Sequence, residues 1–181
     1  MNNDPSPSSV QLEALALLIA EKHMRESGQV PPTIFIASDS GVQEFRSKIL
    51  TDVASKDKMV QTARLLAIAN QARGVTVLLE CWARTASKPG GQLGDRQESV
   101  IIVTETRGDP RALLLRLDRN SKGRFVRFTK MDLPSLTSIA GRFAGLLSPK
   151  GPSAQDIHQA EVLLGMFGIK PNGSPIQIHL N

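Results

Sequence analysis

The residues of this chain that could do chemistry lie mostly between Glu80 and Lys130. Glu80, Cys81, Trp82 and Arg84 close one strongly apolar run, Glu105 closes the next, and a train of arginines follows. Two carboxylates on neighbouring strands could serve as an acid–base pair, which would make Glu80 and Glu105 the centre of a hydrolase. That requires them to share one face of a sheet, and strand register decides it. Otherwise each would pair with Arg84, Arg107 or Arg116 across strands. Cys81 alternates with Val75, Val77 and Leu79, so it reads as a buried, inert thiol. No Gly-x-Ser-x-Gly motif occurs, and no catalytic residue is assigned.

Other chemistries lack their residues. His23, His158 and His179 are isolated in sequence and the cysteine is single. There is therefore no ligand spacing for a metal, and no cofactor is expected. His23 falls in the last turn of an expected helix, where the helix dipole favours a cation. The stretch from Lys88 to Gly94 is rich in glycine. It joins two expected strands rather than a strand and a helix, and it lacks the Gly-Lys-Ser/Thr ending of a phosphate loop, so it reads as a hairpin tip. Arg107, Arg111, Arg116, Arg119, Lys122, Arg124, Arg127 and Lys130 crowd a short span, opposed by Glu105, Asp109 and Asp118. With Trp82 and Phe125, such a face could hold single-stranded nucleic acid through Arg116 and Arg127. The plainer reading is a solvated sheet rim with cross-strand ion pairs.

These residues need elements to hold them. Ser8 with Gln11 fits a capping box, followed by Leu12, Leu15, Ala16 and Ile19 on one helical face, with Gly28 as the stop. Thr33 to Arg46 reads as a hairpin turning at Asp39-Ser40-Gly41, and Ser47 to Ala54 as a loop or short turn. Ser55 is the expected cap of a second helix, apolar around most of its girth and ended by Gly74. Val75 to Ala83 is a strand. After a loop from Thr85 to Gln97, three strands form a meander: Ser99–Arg107, Arg111–Asp118 and Arg124–Lys130. Gly108-Asp109-Pro110 should turn the first into the second, with Leu113, Leu115 and Leu117 inward and Leu114 and Arg116 outward. Leu133 to Leu147 suggests short helical turns. Ser153 with Asp156 caps a last helix, and Pro175 to Leu180 alternates like an edge strand.

The fold class is therefore α/β of the α+β type: a largely antiparallel sheet of about five strands, a hairpin plus a three-stranded meander, with packed helices and a helical C-terminal extension. Residues 1–147 should form a single domain with a disordered arm at 1–7. Residues 148–181 should be a C-terminal helix and tail packed on or extending it. At 181 residues one core suffices, and with aromatics at 4% that core must be aliphatic. A formal charge of +5 permits an acidic partner without demanding one. One cysteine and a polar N-terminus without signal-peptide features point to the cytoplasm, and no apolar run is long enough to span a membrane.

Three segments together carry a resemblance: Val30-Pro31-Pro32-Thr33 leading into a strand, Leu79-Glu80-Cys81-Trp82 after a helix, and Glu98 to Gly108. Over about Ser9 to Arg127 the chain is similar to small uncharacterised bacterial proteins, many found near phage or mobile-element genes. Their middle segment often ends Ser-Glu-Ala-Trp, from which Cys81 departs. The resemblance implies the order of elements and a bacterial, cytosolic setting, and it brings no activity. The expectation is a non-enzymatic binding protein, an accessory factor of a mobile element, with Glu80, Trp82 and Arg84 in its contact surface. A protein partner or self-association as a dimer comes first, and nucleic acid on the Arg-rich meander second.

Overall fold

The structure is a computed structural model describing residues 7–47, 50, 52–84, 91–107, 109–131, 145–148, 150–171 and 174–176. Among the described residues the helices are α1 (Ser9–Ser27), α2 (Val53–Ala69) and α3 (Ala154–Met166). The strands are β1 (Thr33–Ser38), β2 (Gly41–Arg46), β3 (Gly74–Ala83), β4 (Gln97–Thr106), β5 (Asp109–Arg119), β6 (Phe125–Met131) and β7 (Ser174–Ile176). All strand pairs are antiparallel, in the order β6-β5-β4-β3-β1-β2-β7. The α+β class holds, and both the hairpin and the meander are present. The sheet has seven strands rather than about five: β3 joins hairpin to meander as a full member, and β7 adds an outer edge.

Each face of the sheet has its own core. On one side α1 presents Leu12, Ala16, Ala20 and Met24 to Phe35, Leu78, Val100, Ile102, Leu113, Leu115 and Leu117. The buried line therefore steps by four and uses two alanines, which let the helix lie close to the strands. Leu15 and Ile19, expected at its centre, are half-buried flanks. On the other side α2 packs Met59, Val60, Ala63 and Leu66 on Ile34, Ile36, Val75, Val77 and Leu79. Ala160 and Leu164 of α3 belong to this same cluster, so α2 is buried on two sides, as its girth of apolar residues requires. Each fully buried aliphatic side chain here contributes about 1.5–3 kcal/mol.

The helix starts are set by side chains. Ser8 and Gln11 form the expected capping box, as do Ser153 and Asp156. For α2 the cap is Asp52, not Ser55. Asp52 accepts the Ser55 N–H at 2.7 Å while Ser55 Oγ accepts the Asp52 N–H at 3.2 Å. Ser55 is thus the third helical residue, and the helix takes in Val53 and Ala54 from the expected loop. Asp109 and Pro110 are strand residues rather than turn. The ladder between the two strands begins with Thr106↔Asp109 and Glu105↔Pro110. Leu114 is buried on the α2 side of β5 rather than outward. Outside the described residues lie 1–6 of the arm expected at 1–7, 85–90 of the loop expected at 85–97, 133–144 of the turns expected at 133–147, and 177–180 of the edge strand expected at 175–180.

Gly74 does not end α2; it opens β3. The helix stops earlier, at Ala69, in a Schellman-type pattern: Ala72 N–H donates to Ala67 O at 2.8 Å and Gln71 N–H to Ile68 O at 3.0 Å. Gln71 holds the left-handed position at φ +48°, where glycine is the usual residue. Gly74 instead provides closeness, because a Cβ there would stand 2.6 Å from Leu12 Cδ1 and 3.2 Å from Thr106 Cγ2. Leu12 is fully buried and has nowhere to swing. Overpacking costs about 1–3 kcal/mol, more than the roughly 0.5–1 kcal/mol gained by replacing a strand glycine. Gly74→Ala is therefore expected to lower the denaturant midpoint. Gln71→Gly, which relieves a left-handed side chain, is expected to raise stability by up to about 1 kcal/mol in the same measurement.

Candidate functional site

Strand β3 passes from burial to exposure along its length. Every residue from Gly74 to Leu79 is buried, then the cover stops. Alternation places Thr76, Leu78, Glu80 and Trp82 on the α1 side, and Val75, Val77, Leu79 and Cys81 on the α2 side. α1 ends at Ser27, turns through Gly28 at φ +74°, and returns at Val30. There the Val30 N–H donates to Glu80 Oε1 at 2.6 Å. Glu80 is exposed as a residue, but its carboxyl end turns inward to this amide. Loss of hydration there pushes its pKa above the ordinary value, against the Val30 hydrogen bond, with Glu98 adding to the rise.

Trp82 lies one strand step beyond this boundary. It is 58% exposed, and the Arg96 guanidinium stacks 5.0 Å from its ring centroid. Across from it on β4, Glu98 is held by Arg119 through two bonds of 2.8 Å, and these hold the Glu98 carboxyl below its ordinary pKa. Next along the same sheet end, Phe125 packs against Phe128 at 4.8 Å with Arg25 of α1 over its ring. Arg84 follows the strand, exposed. The β5–β6 turn completes this end: Asn120 Oδ1 accepts from the Lys122 and Arg124 N–H groups, both at 3.0 Å, leaving the two cationic side chains in solvent.

The other expected site residues are elsewhere. Arg116 and Arg127 sit on the opposite face of the sheet, in register with Ser99 and Asp118. Both donate to Asp118, at 2.9 and 3.2 Å, and Thr129 Oγ1 joins at 2.6 Å. Trp82 and these two arginines therefore do not form one surface. Arg111 pairs with Glu13 of α1 at 3.3 Å. Four of the eight meander cations (Arg111, Arg116, Arg119 and Arg127) are thus committed to internal carboxylates.

The two candidate acid–base residues are also parted. Glu80 is opposite Val100 on the α1 side, while Glu105 is opposite Val75 on the α2 side. Glu105 accepts the N–H groups of Leu146 and Leu147, at 2.8 and 3.4 Å, and so clasps a returning segment rather than an arginine. Burial pushes the Cys81 thiol up to about 11, which keeps it protonated and unreactive at neutral pH. His23 is not favoured as a cation: burial and then the nearby Arg46 lower its pKa. Among the described residues no group of three His, Cys, Asp or Glu side chains could hold a metal ion, and no helix is long and apolar enough to cross a membrane.

What the sequence alone missed was which carboxylates are already used. Register carries that information, and the signal was the spacing of Asp118 two residues from Arg116 on one strand face. Comparison with models of protein families, with curated proteins and with solved structures finds no match to this chain.

Asp118 gives a pH test of the ion cluster. Hydrogen bonds from Thr129 and Arg116, then Arg127, pull its pKa from 3.8 to about 2. A depressed carboxylate stabilises the fold fully above its unfolded value and loses that contribution as pH falls through the folded one. Stability measured from pH 5 to pH 2 is therefore expected to fall less steeply in Asp118→Asn than in the parent chain. Parallel pH profiles would remove the cluster's electrostatic role.

Proposed function

We propose that this chain is a non-enzymatic binding protein whose contact surface is centred on Trp82, flanked by Glu80 and Arg84, and that it engages a protein partner or a second copy of itself. One observation carries the reading. Among the described residues, the largest side chain at the sheet's open end is covered by no helix, although it continues a strand that is buried up to Leu79. An exposed tryptophan beside arginines matches the residue types that dominate binding energy at protein interfaces. A role as an accessory factor of a mobile element is the setting in which we place this binding protein.

Trp82 is the single tryptophan of the chain, so its fluorescence reports its own surface. Self-association through it predicts a blue shift with rising protein concentration, a matching rise in sedimentation coefficient, and loss of both in Trp82→Ala. The variant should unfold within about 0.5 kcal/mol of the parent, as expected of a surface site. Association that persists unchanged in Trp82→Ala would exclude this surface.

A second reading is favoured by Arg96 on the Trp82 ring and by Lys122 and Arg124 at the same sheet end: this end stacks and neutralises a single nucleic-acid strand. It predicts quenching of Trp82 by an oligonucleotide, with affinity falling steeply as salt is raised. Under this reading Arg96→Gln weakens binding and Arg116→Gln, on the other face, does not.

A further inference from the structure

The opposite end of β3 opens on a cavity of about 540 Å³, walled by Ser8, Asp39, Gln71, Arg73, Thr106 and Arg107. The sheet builds it. β1 ends there at Ser38, β3 begins at Gly74 and β4 ends at Thr106, while the starts of α1 and α3 close the sides. The close approach of Leu12 to Gly74 fixes the α1 wall.

Its lining is polar and its charge is lopsided. Arg73 is anchored by its own N–H on Ala37 O at 2.8 Å, and its Nη2 spans both oxygens of Asp39, at 2.6 and 2.8 Å. Asp39 is largely exposed, so that pair is solvated and worth little to the fold. Arg107 begins the β4–β5 turn and has no carboxylate partner among the described residues. A Cβ on Gly151 would come within 3.3 Å of its Nη2, so the missing side chain there leaves the guanidinium its place in the wall. Among the described residues the wall thus carries two guanidiniums and one solvated carboxylate. Ser8, whose Oγ accepts the Gln11 N–H at 3.3 Å, adds a hydroxyl to the wall. Gln71 adds an amide from a backbone position that glycine would fill at lower cost.

We propose that this cavity binds a small phosphorylated molecule, with the phosphate held between the Arg73 and Arg107 guanidiniums and displacing Asp39 from Arg73. Guanidinium forks match phosphate oxygens in geometry and charge. The volume lies within the range of about 300–1,000 Å³ usual for small-molecule sites, with room for more than the phosphate itself. The proposal does not depend on the Trp82 surface, which is at the other end of the strand.

The test is a titration of isotopically labelled protein with ribose 5-phosphate and, separately, inorganic phosphate, at ionic strength held constant with sodium chloride. The arginine Nε–Hε signals of Arg73 and Arg107 and the amide of Gln71 should shift and saturate, with a dissociation constant near or below about 1 mM for ribose 5-phosphate. Inorganic phosphate should bind the same residues more weakly. Arg107→Gln should weaken binding by at least about tenfold, Gln71→Gly should weaken it while the fold becomes more stable, and Arg96→Gln at the far end should change nothing. Shifts that never saturate, that move Arg96 and Arg124 as much as Arg73 and Arg107, or that survive Arg107→Gln overturn the proposal.

Discussion

The double burial of β3 is the constraint on which the rest of the molecule depends. Its first six residues, Gly74 to Leu79, are covered on both sides, and alternate side chains supply two separate cores. A slip of one residue in pairing would exchange Val75, Val77 and Leu79 for Thr76, Leu78 and Glu80, and would drive a carboxylate toward the α2 core. The hydroxyls of Thr76 and Thr104, 3.0 Å apart in an apolar layer, meet only in the observed register. An unmet hydroxyl in that layer would cost on the order of 1–3 kcal/mol, so this small polar pair selects the alignment of the two central strands.

The same strand explains why the candidate sites lie at its ends. Helix α1 is long enough to cover β3 from Gly74 to Glu80, and its N-terminal and C-terminal limits coincide with the two places where the sheet is open. At one limit the chain must leave the helix and return over the strand, and Glu80 receives the amide that this return exposes. At the other, the glycine that lets the helix come near stands next to Arg73 in the cavity wall. The electrostatics follow this division. Carboxylates on the other face, such as Glu105 and Asp118, are occupied by amides, arginines or hydroxyls.

Much of this was legible in the sequence because the signals were local. The Ser8–Gln11 and Ser153–Asp156 boxes, the Asp39-Ser40 turn and the alternation of Val75, Val77 and Leu79 each depend on neighbours within a few residues. Where the reading failed, either two local signals competed or a distant partner decided. Asp52 displaced Ser55 as a cap because two reciprocal bonds were available rather than one. Leu114 was assigned outward from period alone, although both faces of β5 are covered at that position. The arginines looked like one basic surface because sequence distance hides alternation. Arg116 and Arg119 are three residues apart and project to opposite faces, one toward Asp118 and one toward Glu98.

The pairing of β7 with β2 has a consequence for synthesis. Strand β2 follows its partner β1 directly in the chain, but among the described residues its outer edge is met by Ser174–Ile176, which are synthesised long afterwards. Throughout elongation the nascent sheet therefore presents an unpaired strand to its surroundings. The Glu44–Arg46 ion pair sits on that strand, and charge on an exposed edge discourages the addition of a foreign strand. The chain carries a temporary guard where its own last strand has yet to arrive, and the ribosome's pace sets how long that guard must serve.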